Sequence, residues 1–196
     1  LAINSPELEV LGLTITSGNV PAQLGAKNAL KALQMCQRLD IPVYIGEELP
    51  LERELVTAQD THGEDGVGEN FYEDVDAKIF YGGVDFIIDT LKNNKDVSII
   101  ALGPLTNIAK ALMKDKKAFD NLDEFISMGG AFRIHGNCSP VAEFNYWVDP
   151  HGADYVYKNL PKKIHMVGLD VTRKIVLTPN IIEFINRLDK DMAKYI

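Results

Sequence analysis

Short runs of β-branched and aliphatic residues alternate along this chain with stretches whose apolar residues recur at helical spacing, and that alternation constrains the fold more than any other feature. Residues 9–16 (EVLGLTIT) are apolar and β-branched and end at Ser17-Gly18-Asn19, the pattern of a buried strand followed by a turn. From Pro21 to Leu39 the apolar residues Leu24, Ala29, Leu30, Leu33 and Met35 predict a helix, and Pro42-Val43-Tyr44-Ile45 returns to strand character. After a long polar stretch, residues 83–91 predict a helix, 97–102 a strand, 105–113 a helix, 124–128 a short strand, 149–158 a helix and 164–169 a strand. A last helix over 179–188 is opened by Thr178 as N-cap and Pro179 at its first position. Strands and helices in alternation imply parallel strands joined by right-handed crossovers. The predicted fold is α/β: an open, mostly parallel, Rossmann-like sheet with helices on both faces.

At 196 residues the chain is one domain long, and no internal repeat, low-complexity tract or linker divides it. Its 20 basic residues against 28 acidic ones give a net charge of -8, which repels polyanions and argues against a nucleic acid polymer as partner. No apolar run approaches the roughly 20 residues of a membrane span, and the first residues lack the order of a signal peptide. Two cysteines, Cys36 and Cys138, are too few and too far apart for a zinc or redox motif, which fits a reducing, cytoplasmic setting. The chain opens on Leu1-Ala2-Ile3 without a Met, and residues 1–6 read as the last turn of a helix stopped by Asn4, Ser5 and Pro6, so the protein is expected to begin upstream.

In open α/β folds ligands gather outside the carboxyl ends of the strands, so the residues that follow each strand carry the functional signal. Those residues are Ser17-Gly18-Asn19, Gly103-Pro104-Leu105-Thr106-Asn107, Gly129-Gly130 with His135-Gly136-Asn137 beyond, and Asp170-Val171-Thr172. Amides both donate and accept, so a rim of them can grip a vicinal diol, which points to a polyhydroxylated ligand. Read as extended, residues 140–149 put Glu143 and Asn145 on one side and Ala142, Phe144 and Tyr146 on the other. The competing explanation for each Asn in a Gly-Asn turn is backbone geometry, since Asn tolerates a positive φ.

Residues 46–76 form a long acidic stretch in which Gly63, Gly66 and Gly68 break any periodicity, and loops of this length in compact domains are usually functional or disordered. Two readings stand side by side: a glycine-hinged lid that brings His62 over a bound ligand, and a flexible solvated turn in which Glu64 and Asp65 cap backbone groups or face water. His135, His151 and His165 lack metal-ligand spacing and are expected to be structural.

Together, Thr16-Ser17-Gly18-Asn19, His62-Gly63-Glu64-Asp65-Gly66, residues 102–109 (LGPLTNIA), Met128-Gly129-Gly130-Ala131 and residues 136–145 (GNCSPVAEFN) resemble the inosine-uridine preferring nucleoside hydrolases. The resemblance extends over nearly the whole chain. It implies hydrolysis of the N-glycosidic bond of ribonucleosides by a calcium-activated water, with Glu143 as the catalytic carboxylate. It also implies ribose contacts from Asn19, Asn137, Glu143 and Asn145, Met128 near the sugar, His62 near the base, and the backbone carbonyl of Thr106 as a calcium (Ca2+) ligand. By the same resemblance the substrate is a small ribonucleoside and the enzyme assembles as a dimer or tetramer. The family's N-terminal aspartate cluster would precede Leu1 and its downstream His-Asp pair would follow Ile196, so residues 1–196 read as one hydrolase-like domain truncated at both ends. A chain with one metal-binding carbonyl is expected to be inactive and to bind calcium weakly. The alternative is a non-catalytic ribose-binding or nucleoside-binding domain on the same scaffold, and a third reading is a structural domain without a ligand.

Overall fold

The computed structural model describes residues 1–188. A 3₁₀ turn over Ala2–Asn4 leads into β1 (Leu13–Ile15), α1 (Ala22–Met35), β2 (Val43–Ile45), the short α2 (Gln59–His62), β3 (Ile79–Tyr81) and α3 (Gly83–Asn93). There follow β4 (Val97–Ala101), α4 (Thr106–Lys114), a 3₁₀ helix over Lys116–Asn121, β5 (Leu122–Met128), α5 (Phe144–Val148), α6 (Pro150–Asn159), β6 (Ile164–Val167), α7 (Leu169–Thr172) and α8 (Pro179–Leu188).

The strands pair as two parallel three-stranded sheets, β1-β2-β3 and β4-β5-β6, where the alternation predicted one. The class and the strand direction follow the prediction. Register gives the first sheet its two faces. Leu13, Val43 and Ile79 align, as do Ile15 and Ile45, and these pack with Ala26, Leu30 and Leu33 of α1. The intervening position aligns Tyr44 with Phe80, and Tyr44 also stacks on Phe86 of α3 at 4.3 Å between ring centroids. Helices therefore cover both faces of this sheet. In the second sheet Phe125, Leu122 and Val97 pack with Ile88 and Leu91 of α3, Ile108 and Leu112 of α4 and Val156 of α6 on one face. The other face carries the half-exposed Ile100 and Ile126, which align with each other and with exposed His165.

Several boundaries differ from expectation for physical reasons. The 9–16 run pairs over Leu13–Ile15 alone. β3 lay unrecognised just beyond the acidic stretch, although it is as long as β2. Residues 144–148, read as extended, form α5 with Glu143 as N-cap: its carboxylate accepts the Tyr146 N–H, so capping overrides the polar-apolar alternation. α8 begins as predicted, with the Ile181 N–H on Thr178 Oγ1.

One buried carboxylate ties the layers together. Asp149 is 0% exposed and starts α6, its Oδ1 accepting the Gly152 N–H at 2.8 Å. Its Oδ2 accepts the Thr106 hydroxyl of α4 at 2.7 Å and the Leu51 N–H at 3.2 Å. Removing it leaves two buried donors and one half-buried donor without partners. We predict that Asp149→Ala in the full-length protein lowers the unfolding free energy by about 3 kcal/mol, read by urea denaturation; a loss below about 1 kcal/mol would contradict the assigned role.

Candidate functional site

Hydrogen bonds stitch the carboxyl ends of β1, β2, β4, β5 and β6 into one rim. The Glu47 carbonyl after β2 accepts the Thr16 hydroxyl and the Ser17 N–H after β1, and the Glu47 N–H donates to Asn107 Oδ1 at the start of α4. Gly18 lies so close to the loop after β4 that a Cβ there would stand 3.0 Å from Pro104 Cδ. Asn145 Nδ2 reaches both Leu102 O after β4 (3.3 Å) and Met128 O at the end of β5 (3.1 Å). The Gly129 N–H donates to Val167 O at the end of β6.

Glu143 is the centre of this rim. It is 3% exposed, and both of its hydrogen bonds fall on Oε2, from the N–H groups of Gly130 (2.9 Å) and Tyr146 (3.3 Å). Its other oxygen accepts no bond from the described residues. Asn145 has a similar arrangement: among the described residues its bonds, including one to Met128 Sδ at 3.2 Å, all fall on Nδ2, and its amide oxygen accepts none. Asn137 Oδ1 accepts the Phe144 N–H at 2.9 Å and so fixes the first turn of α5. Met128, Asn137, Glu143 and Asn145 thus form one bonded group.

Asn19 and His62 form a second group. The Asn19 carbonyl accepts the N–H of Ala58, the N-cap of the helix α2 that ends at His62. Both side chains are exposed. The two groups share no hydrogen bond among the described residues. Partial burial, and then the charges of Glu143 and Asp60, push the Cys138 thiol above its ordinary pKa. Neither Asn19 nor Asn137 has a positive φ, so a left-handed backbone does not explain either residue.

Behind the site, Tyr146 explains the paired glycines. Its ring lies where a side chain on Gly129 would collide with it, and its hydroxyl shares hydrogen bonds with Ser127 Oγ (2.9 Å) and Tyr157 Oη (3.0 Å). Burial pushes this phenol well above its usual pKa, so it stays protonated and can donate. Reading the segment as extended hid Tyr146. The Asp149-Pro150 pair, an N-cap followed by proline, was the available signal for Asp149.

Thr106 is buried at the first position of α4, its hydroxyl engaged by Asp149. A carbonyl there points along the helix axis. Among the described residues no group of three or more His, Cys, Asp or Glu side chains is placed to hold a metal. One neutral carbonyl does not fit calcium, which takes about six to eight oxygen ligands with carboxylates among them.

The family model for inosine-uridine preferring nucleoside hydrolases matches residues 1–196. The chain belongs to this family. It is 39% identical over 177 residues to the pyrimidine-specific ribonucleoside hydrolase RihA of Salmonella typhimurium, covering 89% of this chain and 56% of that protein. It is 37% identical over 182 residues to probable uridine nucleosidase 2 of Arabidopsis thaliana, covering 91% and 56%. A solved plant nucleoside hydrolase superposes with a TM-score of 0.92 at 35% identity, covering 99% of this chain and 62% of that one. The purine-preferring ribonucleoside hydrolase of Gardnerella vaginalis gives 0.92 at 33%, covering 99% and 64%. The chain therefore spans little more than half the length of the curated relatives it matches.

The acidic segment of this family member is built rather than merely solvated. Asp65 accepts the N–H groups of Val67 (3.0 Å), Glu69 (2.8 Å) and Phe71 (2.7 Å), wrapping the loop around one carboxylate. Gly63, Gly66 and Gly68 all have positive φ, so glycine serves the fixed shape of the loop. Burial acts to raise the Asp65 pKa, but the N–H groups of Phe71, Val67 and Glu69 outweigh it and hold the carboxyl below its usual value. A lowered carboxylate stabilises the loop above the ordinary Asp value of about 3.9 and loses that contribution as pH falls through the lowered one. In an NMR titration the amide signals of residues 67, 69 and 71 should shift together with a midpoint below about 3.9; a midpoint at or above it would contradict the assignment.

Proposed function

We propose that the full-length protein hydrolyses the N-glycosidic bond of ribonucleosides to ribose and free base. The observation that carries this reading is Glu143: a buried carboxylate at a strand-end rim, with one oxygen fixed by two N–H groups and the other without a partner among the described residues. Such a group accepts from a sugar hydroxyl in the ground state. It acts most strongly when the C–N bond breaks and positive charge develops on the ribosyl ring. Water then gives its hydroxyl to the anomeric carbon and a proton to the departing base. Asn137, Asn145 and Asn19 hold the sugar hydroxyls, Met128 lies against the ribose, and His62 is carried by α2 toward the base.

Calcium belongs to this proposal through the family resemblance. The ion would supply an activated water, but the residues described here offer it only the Thr106 carbonyl, and the roles given above do not depend on it. A small ribonucleoside rather than a nucleic acid polymer agrees with the net charge of -8. A cytoplasmic location and assembly into dimers or tetramers are parts of the same reading. No helix among the described residues is long and apolar enough to cross a membrane.

Release of free base from uridine or inosine by the full-length protein tests the reading directly. Ribose-dependent binding without release would favour a nucleoside-binding domain instead. Glu143→Gln keeps the shape and removes the charge, and it should lower kcat by about 10²-fold or more with little change in melting temperature. Activity near wild type with a lowered melting temperature would make Glu143 structural. Residues 1–196 by themselves are expected to release no base and to show no tight calcium binding by calorimetry; turnover or tight binding by that chain would contradict the assigned donor set.

A further inference from the structure

The loop that supplies Gly130 and Asn137 to the site is not held by burial. Phe132 is 74% exposed, and Arg133, Ile134 and His135 are exposed as well. Apolar burial is the usual means of ordering a loop, and here it is missing over four consecutive residues. Polar contacts from the chain after β6 take its place. The Leu169 N–H donates to Gly130 O at 2.9 Å. Asp170 then accepts the Phe132 N–H on Oδ2 and the Arg133 N–H on Oδ1, each at 2.8 Å. Arg173 completes the row by donating from Nη1 to His135 O (3.0 Å) and from Nη2 to Gly136 O (3.1 Å).

Asp170 and Arg173 are three apart on one helical turn and so lie on the same face. One takes the N–H groups of the first half of the loop and the other takes the carbonyls of the second half. Opposite charges on the clamp match opposite ends of the peptide dipoles, and charge-assisted bonds are stronger than neutral ones. α7 buries only Leu169, so it has little function as a packing element. The N–H groups of Phe132 and Arg133 lower the Asp170 pKa, in agreement with a carboxylate that accepts from both.

We propose that Asp170 and Arg173 are positioning residues: without touching the substrate, they hold the loop over residues 129–137 in the shape in which the Gly130 N–H meets Glu143 and Asn137 meets α5. This rests on the hydrolase reading of the Glu143 site. Recognition of the ribose is then set partly from α7, since a misplacement of about 1 Å at a reacting centre costs about 10²-fold.

The test uses full-length protein and the variants Asp170→Ala, Asp170→Asn, Arg173→Ala, Arg173→Lys and the double alanine. Each is measured for melting temperature, for kcat and KM on uridine or inosine, and for the preference for a ribonucleoside over its 2′-deoxy and 3′-deoxy counterparts. Amide hydrogen exchange at residues 130–137 is followed in parallel. Each alanine variant should lose about tenfold or more in kcat/KM, with a reduced ribose preference and faster exchange. Asp170→Asn, which keeps one acceptor, should recover part of the loss, and the double variant should fall less than the product of the singles because both residues hold one loop. Unchanged exchange, or a loss that follows melting temperature alone with ribose preference intact, would overturn the clamp. If wild-type protein releases no base, the hydrolase reading fails. The clamp is then decided by exchange alone: faster exchange in Asp170→Ala supports it and unchanged exchange overturns it.

Discussion

A carboxylate buried at the start of a helix must be met by N–H donors, and the surroundings of Glu143 are organised by that requirement. α5 supplies one donor from its own first turn, the Tyr146 N–H. The other comes from Gly130, which can approach only because Gly129 and Gly130 leave room for the Tyr146 ring. Tyr146 is anchored in turn by Ser127 in β5 and Tyr157 in α6. One charged group therefore couples the end of a strand, a glycine turn and two helices.

The same logic recurs six residues further along the chain. Asp149 ends the segment that begins at Glu143, and its carboxylate gathers donors from α4, α6 and the loop after β2. Asp65 gathers three amides in the acidic loop, and Asp170 gathers two beside the site. In an acidic chain, carboxylates that fold a loop around themselves have a function distinct from those that face water. The amides of Asn107 and Asn145 work in the same way across strand ends, which is how separate strands present a continuous rim.

Much of this was legible in the sequence where a local period or a local rule decides the outcome. The longer helices, the parallel strands and the Thr178-Pro179 helix start depend on neighbours in the chain, and they lie where periodicity and capping chemistry put them. β3 was missed inside the polar stretch, and at α5 a side-chain cap decided the conformation against an alternating pattern. The division into two sheets was not legible either, since pairing depends on partners distant in sequence. At the site, the strand-end rule pointed to Asn19, Thr106 and Asn137, and the family resemblance pointed to Met128, Glu143 and Asn145. The structural duty of each side chain could not be read: which oxygen of Glu143 is occupied, and that Asn145 spends its amino group on two strand ends, depend on backbone atoms from elsewhere in the fold.

The central claim is that the free oxygens of Glu143 and Asn145 face a sugar. A crystal structure of the full-length protein with a ribose-configured nucleoside analogue measures this most directly. The account predicts that the sugar hydroxyls contact the Glu143 oxygen not held by Gly130 and Tyr146, and the Asn145 amide oxygen, while Asn145 Nδ2 keeps its bonds to Leu102 and Met128. A ligand seated away from this rim, or a sugar bound with Glu143 turned away from it, would contradict the account.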